Sequence, residues 1–199
     1  MAAVPLLVVE STKNRVLVYE DRVVKEFRSG RGIEKKAQRE IAALRRLAGL
    51  DGVPAILAQA PDGRSLTLSR LPGKPLSECE SIAEGSIARL RELVERILAR
   101  GVARHHLPAR DVIVAPDGSV GLVDFERSTR RRFPGDPSFL VARGITRFHL
   151  MRLVHEYAPQ LLTPRETRRM RRQVSIRNAL QRPLKLKRRL LRSLGLRTT

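Results

Sequence analysis

Residues 100–126, RGVARHHLPARDVIVAPDGSVGLVDFE, constrain the fold more than any other stretch of the chain. Two short runs rich in Val, Ile and Leu flank Pro116-Asp117-Gly118, residues suited to a tight turn, so the segment reads as a β-hairpin. Folding the strands back brings their outer ends together. Asp111 stands before the first strand and Asp124 after the second, and two carboxylates so placed offer hard oxygens to a cation such as Mg²⁺. The loop entering the hairpin carries His105 and His106.

The rest of the chain supplies a frame for that hairpin. Residues 4–9, 15–19 and 22–27 are rich in Val and Leu and read as strands, with Glu20-Asp21 as a turn. A loop over Ser29-Gly30-Arg31-Gly32 leads to a helix expected from about Ile33 to Leu50. There Ala37, Ile41, Leu44 and Leu47 recur at helical spacing, and Gly49 and Gly52-Val53-Pro54 end it. Residues 55–60 and 65–70 form a second hairpin across Pro61-Asp62-Gly63, and Leu71-Pro72-Gly73-Lys74-Pro75 is a turn-rich linker.

A long helix is expected from about Ser81 to Arg100, and another over 138–157 with a break near Gly144. Thr163-Pro164-Arg165-Glu166 has the form of a capped helix start, with the helix reaching Gln181, and residues 184–194 suit a short basic amphipathic helix. The expected class is α+β. A sheet lobe spans 1–70, a hinge 71–75, a helical lobe 76–163 and a basic helical arm 164–199.

Two further residues bear on chemistry. Lys25 lies on the third expected strand in Val-Val-Lys, where it can meet phosphates, and Glu40 lies on the first expected helix, where it can pair with that lysine. Either alone reads as a solvated surface residue; in series with Asp111 and Asp124 they have the parts for phosphoryl transfer.

Taken together, Val-Val-Lys25, Glu40 in REIAALRRL, the LSRLPGKPL linker and VIVAPDGSVGLVDFE resemble the protein-kinase-like superfamily over about residues 5–155. The resemblance is strongest to the bacterial lipopolysaccharide core sugar kinases and looser to the RIO kinases. It implies a two-lobed kinase-like fold, ATP and Mg²⁺ as cofactors, and a hydroxyl acceptor on a lipopolysaccharide core sugar. On this resemblance Lys25 and Glu40 act together, Asp124 binds Mg²⁺, and Asp111 takes the place of the family's Asn as a metal ligand. Ser69 and Leu71 fall in the hinge that meets adenine.

Two positions depart from the family. His106 stands where the acceptor-orienting Asp is usual, and a neutral imidazole can take a proton as a base. The Gly-rich loop between the first two strands is replaced by Glu10-Ser11-Thr12-Lys13-Asn14, a reduced echo of the RIO loop in which Ser11, Thr12 and Lys13 can donate to phosphate.

Charge adds a partner. Of the net charge of +20, a balance of +12 falls in residues 165–199, which hold 13 Lys or Arg against Glu166 alone. Leu184, Leu186, Leu190, Leu191 and Leu194 interleave those charges without aromatics, which suits a peripheral anionic membrane surface or a lipopolysaccharide precursor better than single-stranded nucleic acid. A single cysteine, Cys79, excludes an internal disulfide and suits the cytoplasm. Zinc spacings, a Walker loop, a Rossmann fingerprint and a Gly-x-Ser-x-Gly elbow are absent. Two other readings stand beside the phosphotransferase: a catalytically weak or inactive pseudokinase used for binding or regulation, and a basic nucleic-acid-binding protein.

Overall fold

The computed structural model describes residues 4–12, 14–28, 30, 32–83 and 85–172. Lys13, the end of the helix expected at Gln181 and the basic helix expected over 184–194 lie outside the described residues. The chain divides into two compact units, residues 1–153 and 154–199.

The first unit begins with an antiparallel sheet. Strands β1 (Leu7–Glu10), β2 (Asn14–Val18), β3 (Arg22–Phe27), β4 (Ile56–Gln59) and β5 (Ser65–Ser69) pair in the order β1-β2-β3-β5-β4. Lys25 is therefore on the central strand, opposite Val16 on one side and Leu66 on the other. Directly opposed residues share a face, so the Lys25 stem stands beside buried Leu66 and Leu68.

Helix α1 (Ile33–Arg46) presents Ala37, Glu40, Ile41 and Leu44 on one buried stripe, with Leu47 buried just past its end. That is the spacing of an amphipathic helix, except that one position in the stripe is a carboxylate. The helix stops at Arg46, short of the expected Leu50; its last carbonyls are closed by the Leu47 N–H and the chain turns through Gly49. Arg46 ties α1 to the rest of the unit, its guanidinium donating to the carbonyls of Arg100 and Arg131, each at 2.7 Å.

Strand β6 (Lys74–Pro75) closes the expected linker, which is thus partly a strand. It pairs with β8 (Val112–Val114), and β8 pairs with β9 (Val120–Leu122) as the hairpin periodicity requires. A proline fits there because β6 is an edge strand. Helix α2 (Ser86–Ala99) begins five residues later than expected, because Gly85 adopts φ 79° and starts the helix itself. Its buried stripe of Ile87, Leu90, Val94, Ile97 and Leu98 packs on β9 and on β7 (Val102–Arg104). Strand β10 (Ser128–Arg130) pairs with β7, setting Ser128 opposite Arg104. Helix α3 (Pro137–Tyr157) runs unbroken through Gly144. A mid-helix glycine costs only about 1 kcal/mol, which the burial of Phe139, Ala142 and Leu150 on the same helix offsets.

In the second unit a 3₁₀ turn (Pro159–Leu161) precedes helical residues 164–172. Thr163 caps that helix as its sequence indicates: Glu166 Oε2 accepts from the Thr163 N–H at 2.9 Å, and Thr163 Oγ1 accepts from the Glu166 N–H at 3.2 Å. No helix among the described residues is long and apolar enough to cross a membrane.

Two glycines fix loops onto the hairpin. Gly52 has φ 82°, and its carbonyl accepts from the Leu122 N–H at 2.7 Å. Gly73 has φ 111°, and a Cβ there would collide with the Val114 carbonyl. Gly63, by contrast, has φ 69° with nothing within 4 Å of a built Cβ. Gly63→Ala should therefore cost only the left-handed penalty, about 1–2 kcal/mol, and Gly73→Ala distinctly more. Chemical denaturation of the two variants checks this, and equal losses would contradict the close approach at Gly73.

Candidate active site

The candidate site is built around buried charge. Lys25 Nζ donates to Glu40 Oε1 at 2.5 Å, with the Lys25 side chain 12% and the Glu40 side chain 2% exposed. Burial alone would lower the Lys25 pKa; Glu40, Asp124 and Glu126 outweigh it and raise it, so the ammonium is held charged. The central strand and the buried stripe of α1 thus bring together two residues fifteen apart in sequence.

The hairpin ends meet as its sequence requires, the Val123 N–H donating to the Asp111 carbonyl at 3.0 Å. Asp124, the next residue, has φ 64°, the only positive φ outside glycine among the described residues. Such a conformation persists only where neighbours over-determine it. Phe125 beside it is fully buried, and the Glu126 N–H turns back towards Asp124 Oδ1 at 3.4 Å.

Asp111 has a partner that sequence reasoning did not supply. Arg104 Nη2 donates to Asp111 Oδ2 at 2.6 Å, and Arg110 Nε lies 3.8 Å from Oδ1. Arg104 is 3% exposed and its guanidinium sits 5.2 Å from the Phe125 ring centroid. Its backbone is held from α3: the Arg104 N–H donates to Thr146 Oγ1 at 2.9 Å, and that hydroxyl lies 2.7 Å from the Arg104 carbonyl. Burial pushes the Asp111 carboxyl up to about 6, Arg104 opposing and Asp124 adding to the rise, so the pair is ionised at neutral pH. One guanidinium nitrogen, Nη1, is buried without a hydrogen-bond partner. No sign in the sequence points to this role; the strand that Arg104 ends, Val102-Ala103-Arg104, is buried throughout.

His106 is exposed, and its ring meets His149 edge-on at 5.0 Å. Partial burial, then Arg127, Arg110, Arg104 and Arg152, hold its pKa below the ordinary histidine value, so the imidazole is neutral at pH 7. His105 Nε2 lies 2.7 Å from Thr129 Oγ1. Beside Glu126 opens a groove of about 710 Å³ lined by Lys36, Arg39, His105, Glu126, Arg127, Ser128 and Thr129.

Of the other sequence candidates, Ser11 and Ser69 are engaged in holding the sheet lobe. Ser11 Oγ lies 2.6 Å from Asn14 Oδ1 and accepts from the Asn14 N–H at 3.0 Å, closing the β1–β2 turn. Thr12 is exposed in that turn. Ser69 Oγ accepts from the Ala55 N–H at 2.8 Å. Leu71 packs over Gly121, where even a Cβ would lie 2.5 Å from Leu71 Cδ1.

Among the described residues no three His, Cys, Asp or Glu side chains cluster to hold a metal ion. Asp124 offers a hard oxygen suited to Mg²⁺, which is commonly bound through one or two carboxylates and completed by phosphate oxygens and water. Asp111 is committed to a guanidinium. Asp124 is thus a residue that would hold such an ion.

Known structures share this architecture. Monomeric WbdD superposes with a TM-score of 0.55 at 22% identity, over 78% of this chain and 39% of that one. A second structure, of the bifunctional kinase-methyltransferase WbdD, gives 0.53 at 21% identity, over 81% and 47%. The Rio2 kinase–ADP/Mg²⁺–phosphoaspartate complex from Chaetomium thermophilum gives 0.59 at 14%, over 82% and 58%. The chain thus spans less than half the length of these WbdD chains. No family model and no curated protein sequence matches it. At such identities the likeness speaks for architecture, and the chain is built on the protein-kinase-like fold.

Proposed function

We propose that the protein is an ATP- and Mg²⁺-dependent phosphotransferase acting on a hydroxyl. The observation that carries this is the Lys25–Glu40 pair, a lysine kept charged at 12% exposure within the electrostatic reach of Asp124 and Glu126. Lys25 would neutralise phosphate oxygens and Glu40 would hold its ammonium in place. A bound Mg²⁺, held by Asp124, would offset charge on the transferred group. The acceptor oxygen would bond to the γ-phosphorus as the bond to the ADP oxygen breaks, and the hydroxyl proton would pass to the neutral imidazole of His106. The fold shared with WbdD, a kinase-methyltransferase, supports the reaction class. The acceptor we favour is a lipopolysaccharide core sugar at the cytoplasmic face of the membrane, with the basic segment 165–199 meeting anionic lipid.

A pseudokinase is the second reading, favoured by His106 standing where the resembled family carries its Asp and by the engagement of Asp111 with Arg104. Purified protein given ATP, Mg²⁺ and core-sugar acceptors should transfer the γ-phosphate, and Asp124→Asn should lower the rate by roughly 10²-fold or more. Nucleotide binding without turnover on any acceptor would favour the pseudokinase.

His106 gives the reaction a pH signature. A base works deprotonated, so the rate should fall as pH drops through a pKa below 6.5 and stay level above it. His106→Ala should abolish that acid limb, and an unchanged profile would remove His106 from the reaction.

The ion pair separates binding from folding. Lys25→Met leaves a buried carboxylate unpaired and should cost about 3–5 kcal/mol in denaturant unfolding. Adding Glu40→Leu should recover most of that stability while nucleotide affinity stays lost. If affinity returned with stability, Lys25 would be a structural residue only.

A further inference from the structure

We infer that the groove beside Glu126 is an anion subsite for the acceptor, in which Lys36, Arg39 and Arg127 receive a phosphate group that the acceptor carries apart from its reacting hydroxyl. The inference rests on the phosphotransferase reading above and adds to it the chemical class of the substrate, a phosphorylated sugar.

Placement comes first. The groove, of about 710 Å³, is lined by Lys36 and Arg39 of α1, by residues 126–129 leading into β10, and by His105 just past β7. Lys36 and Arg39 are three residues apart on the helix and so lie side by side. Two of the lining residues act on the reaction centre itself. Glu126 raises the Lys25 pKa and Arg127 lowers that of His106, which puts the groove within electrostatic reach of both the phosphate-binding lysine and the proposed base.

Its wall opposite α1 is held by the protein's own hydrogen bonds. The His105 N–H donates to the Arg127 carbonyl at 2.9 Å, and His105 Nε2 lies 2.7 Å from Thr129 Oγ1. Ser128 Oγ donates to the Phe125 carbonyl at 2.8 Å. With both hydroxyls engaged, the cationic side chains are the donors left for a ligand.

Charge then selects the ligand. Elsewhere in the sheet lobe exposed arginines have carboxylates beside them: Arg15 and Arg28 meet Glu10, and Arg22 meets Asp21. Lys36, Arg39 and Arg127 make no ion pair among the described residues. These three cations share the groove with one carboxylate, Glu126, so two positive charges stand uncompensated. A phosphate monoester carries about −1.5 to −2 at neutral pH, and its oxygens suit two guanidinium forks and an ammonium. A single carboxylate would leave the groove positive, and a neutral sugar would leave all of the charge in place. The nucleotide's phosphates are assigned to Lys25, so the occupant is the second substrate.

Calorimetric titration of the full-length protein at physiological salt tests this, with glucose 6-phosphate, mannose 6-phosphate, the two free sugars and inorganic phosphate as probes. A hexose phosphate should bind about tenfold or more tightly than its free sugar or inorganic phosphate. Binding of neither hexose phosphate would overturn the inference, and inorganic phosphate binding equally well would reduce the groove to a place for an adventitious ion only. Lys36→Gln with Arg39→Gln should weaken hexose phosphate binding about tenfold or more. Lys35→Gln with Arg96→Gln removes the same charge from exposed positions outside the groove and should change it less than about twofold. Equal losses in the two double variants would make the attraction the chain's general positive field and reject the subsite. Lys25→Met with Glu40→Leu should leave hexose phosphate binding intact; its loss there would move the phosphate to Lys25 and reject the groove. The two readings fail separately. Phosphate transfer to free and phosphorylated sugars with equal efficiency would keep the phosphotransferase and reject the subsite, whereas hexose phosphate binding without any transfer would keep the groove's ligand and remove the phosphotransferase.

Discussion

A buried ion must be matched by another, and this cleft is shaped by that requirement. Glu40 occupies a position in the α1 stripe that helical periodicity would give to an apolar side chain, and it is tolerable only because Lys25 reaches it from the central strand. Arg104 and Asp111 repeat the arrangement on the other side, from β7 and from the turn entering the hairpin. The partners are fifteen and seven residues apart in sequence, and both pairs lie buried where the surrounding elements pack over them. Removing any one of the four leaves an uncompensated charge in low dielectric, which links the stability of the first unit to the integrity of the cleft.

Positioning follows from a few rigid connections. The Arg46 guanidinium fastens the end of α1 to the carbonyls of Arg100 and Arg131, so Glu40 is presented at a fixed height over the sheet. Gly52 and Gly73 bring their backbones onto β9 and β8 more closely than a side-chain-bearing residue would allow, and the hairpin is thereby held against loops leaving the five-stranded sheet. Asp124 at the hairpin's end then has little freedom. Its left-handed backbone is fixed between the buried Phe125 and the Val123 N–H bound to Asp111. Sequence-local turns and long-range packing act on the same few atoms.

Much of this was legible in the sequence, and for identifiable reasons. The five strands of the first sheet, the hairpin and both long helices follow from periodicity, β7 and β10 do not, and kinship of fold was read from a resemblance carried by Lys25, Glu40 and the Val-Asp-Phe segment. Boundaries were less legible. Gly85 starts α2 where a run from Ser81 looked equally helical, and Gly144 was read as a break because propensity says nothing of the packing that carries α3 through it. Arg104 was the larger omission. An arginine among forty Lys and Arg residues reads as solvated charge, and only the pairing of β7 with β10 and the burial beneath α3 turn it inward.

Three separate costs coincide in the cleft: a carboxylate in a helix core, a non-glycine residue at φ 64°, and a guanidinium nitrogen with no acceptor. Each has a less costly alternative, provided its ion-pair partner changes with it: leucine for Glu40 with methionine for Lys25, glycine for Asp124, and methionine for Arg104 with an apolar residue for Asp111. A chain selected for folding alone would have no use for any of the three. Their concentration within one network of coupled charges sets this part of the first unit apart from its apolar core, because each is tolerated only through the neighbours that hold it.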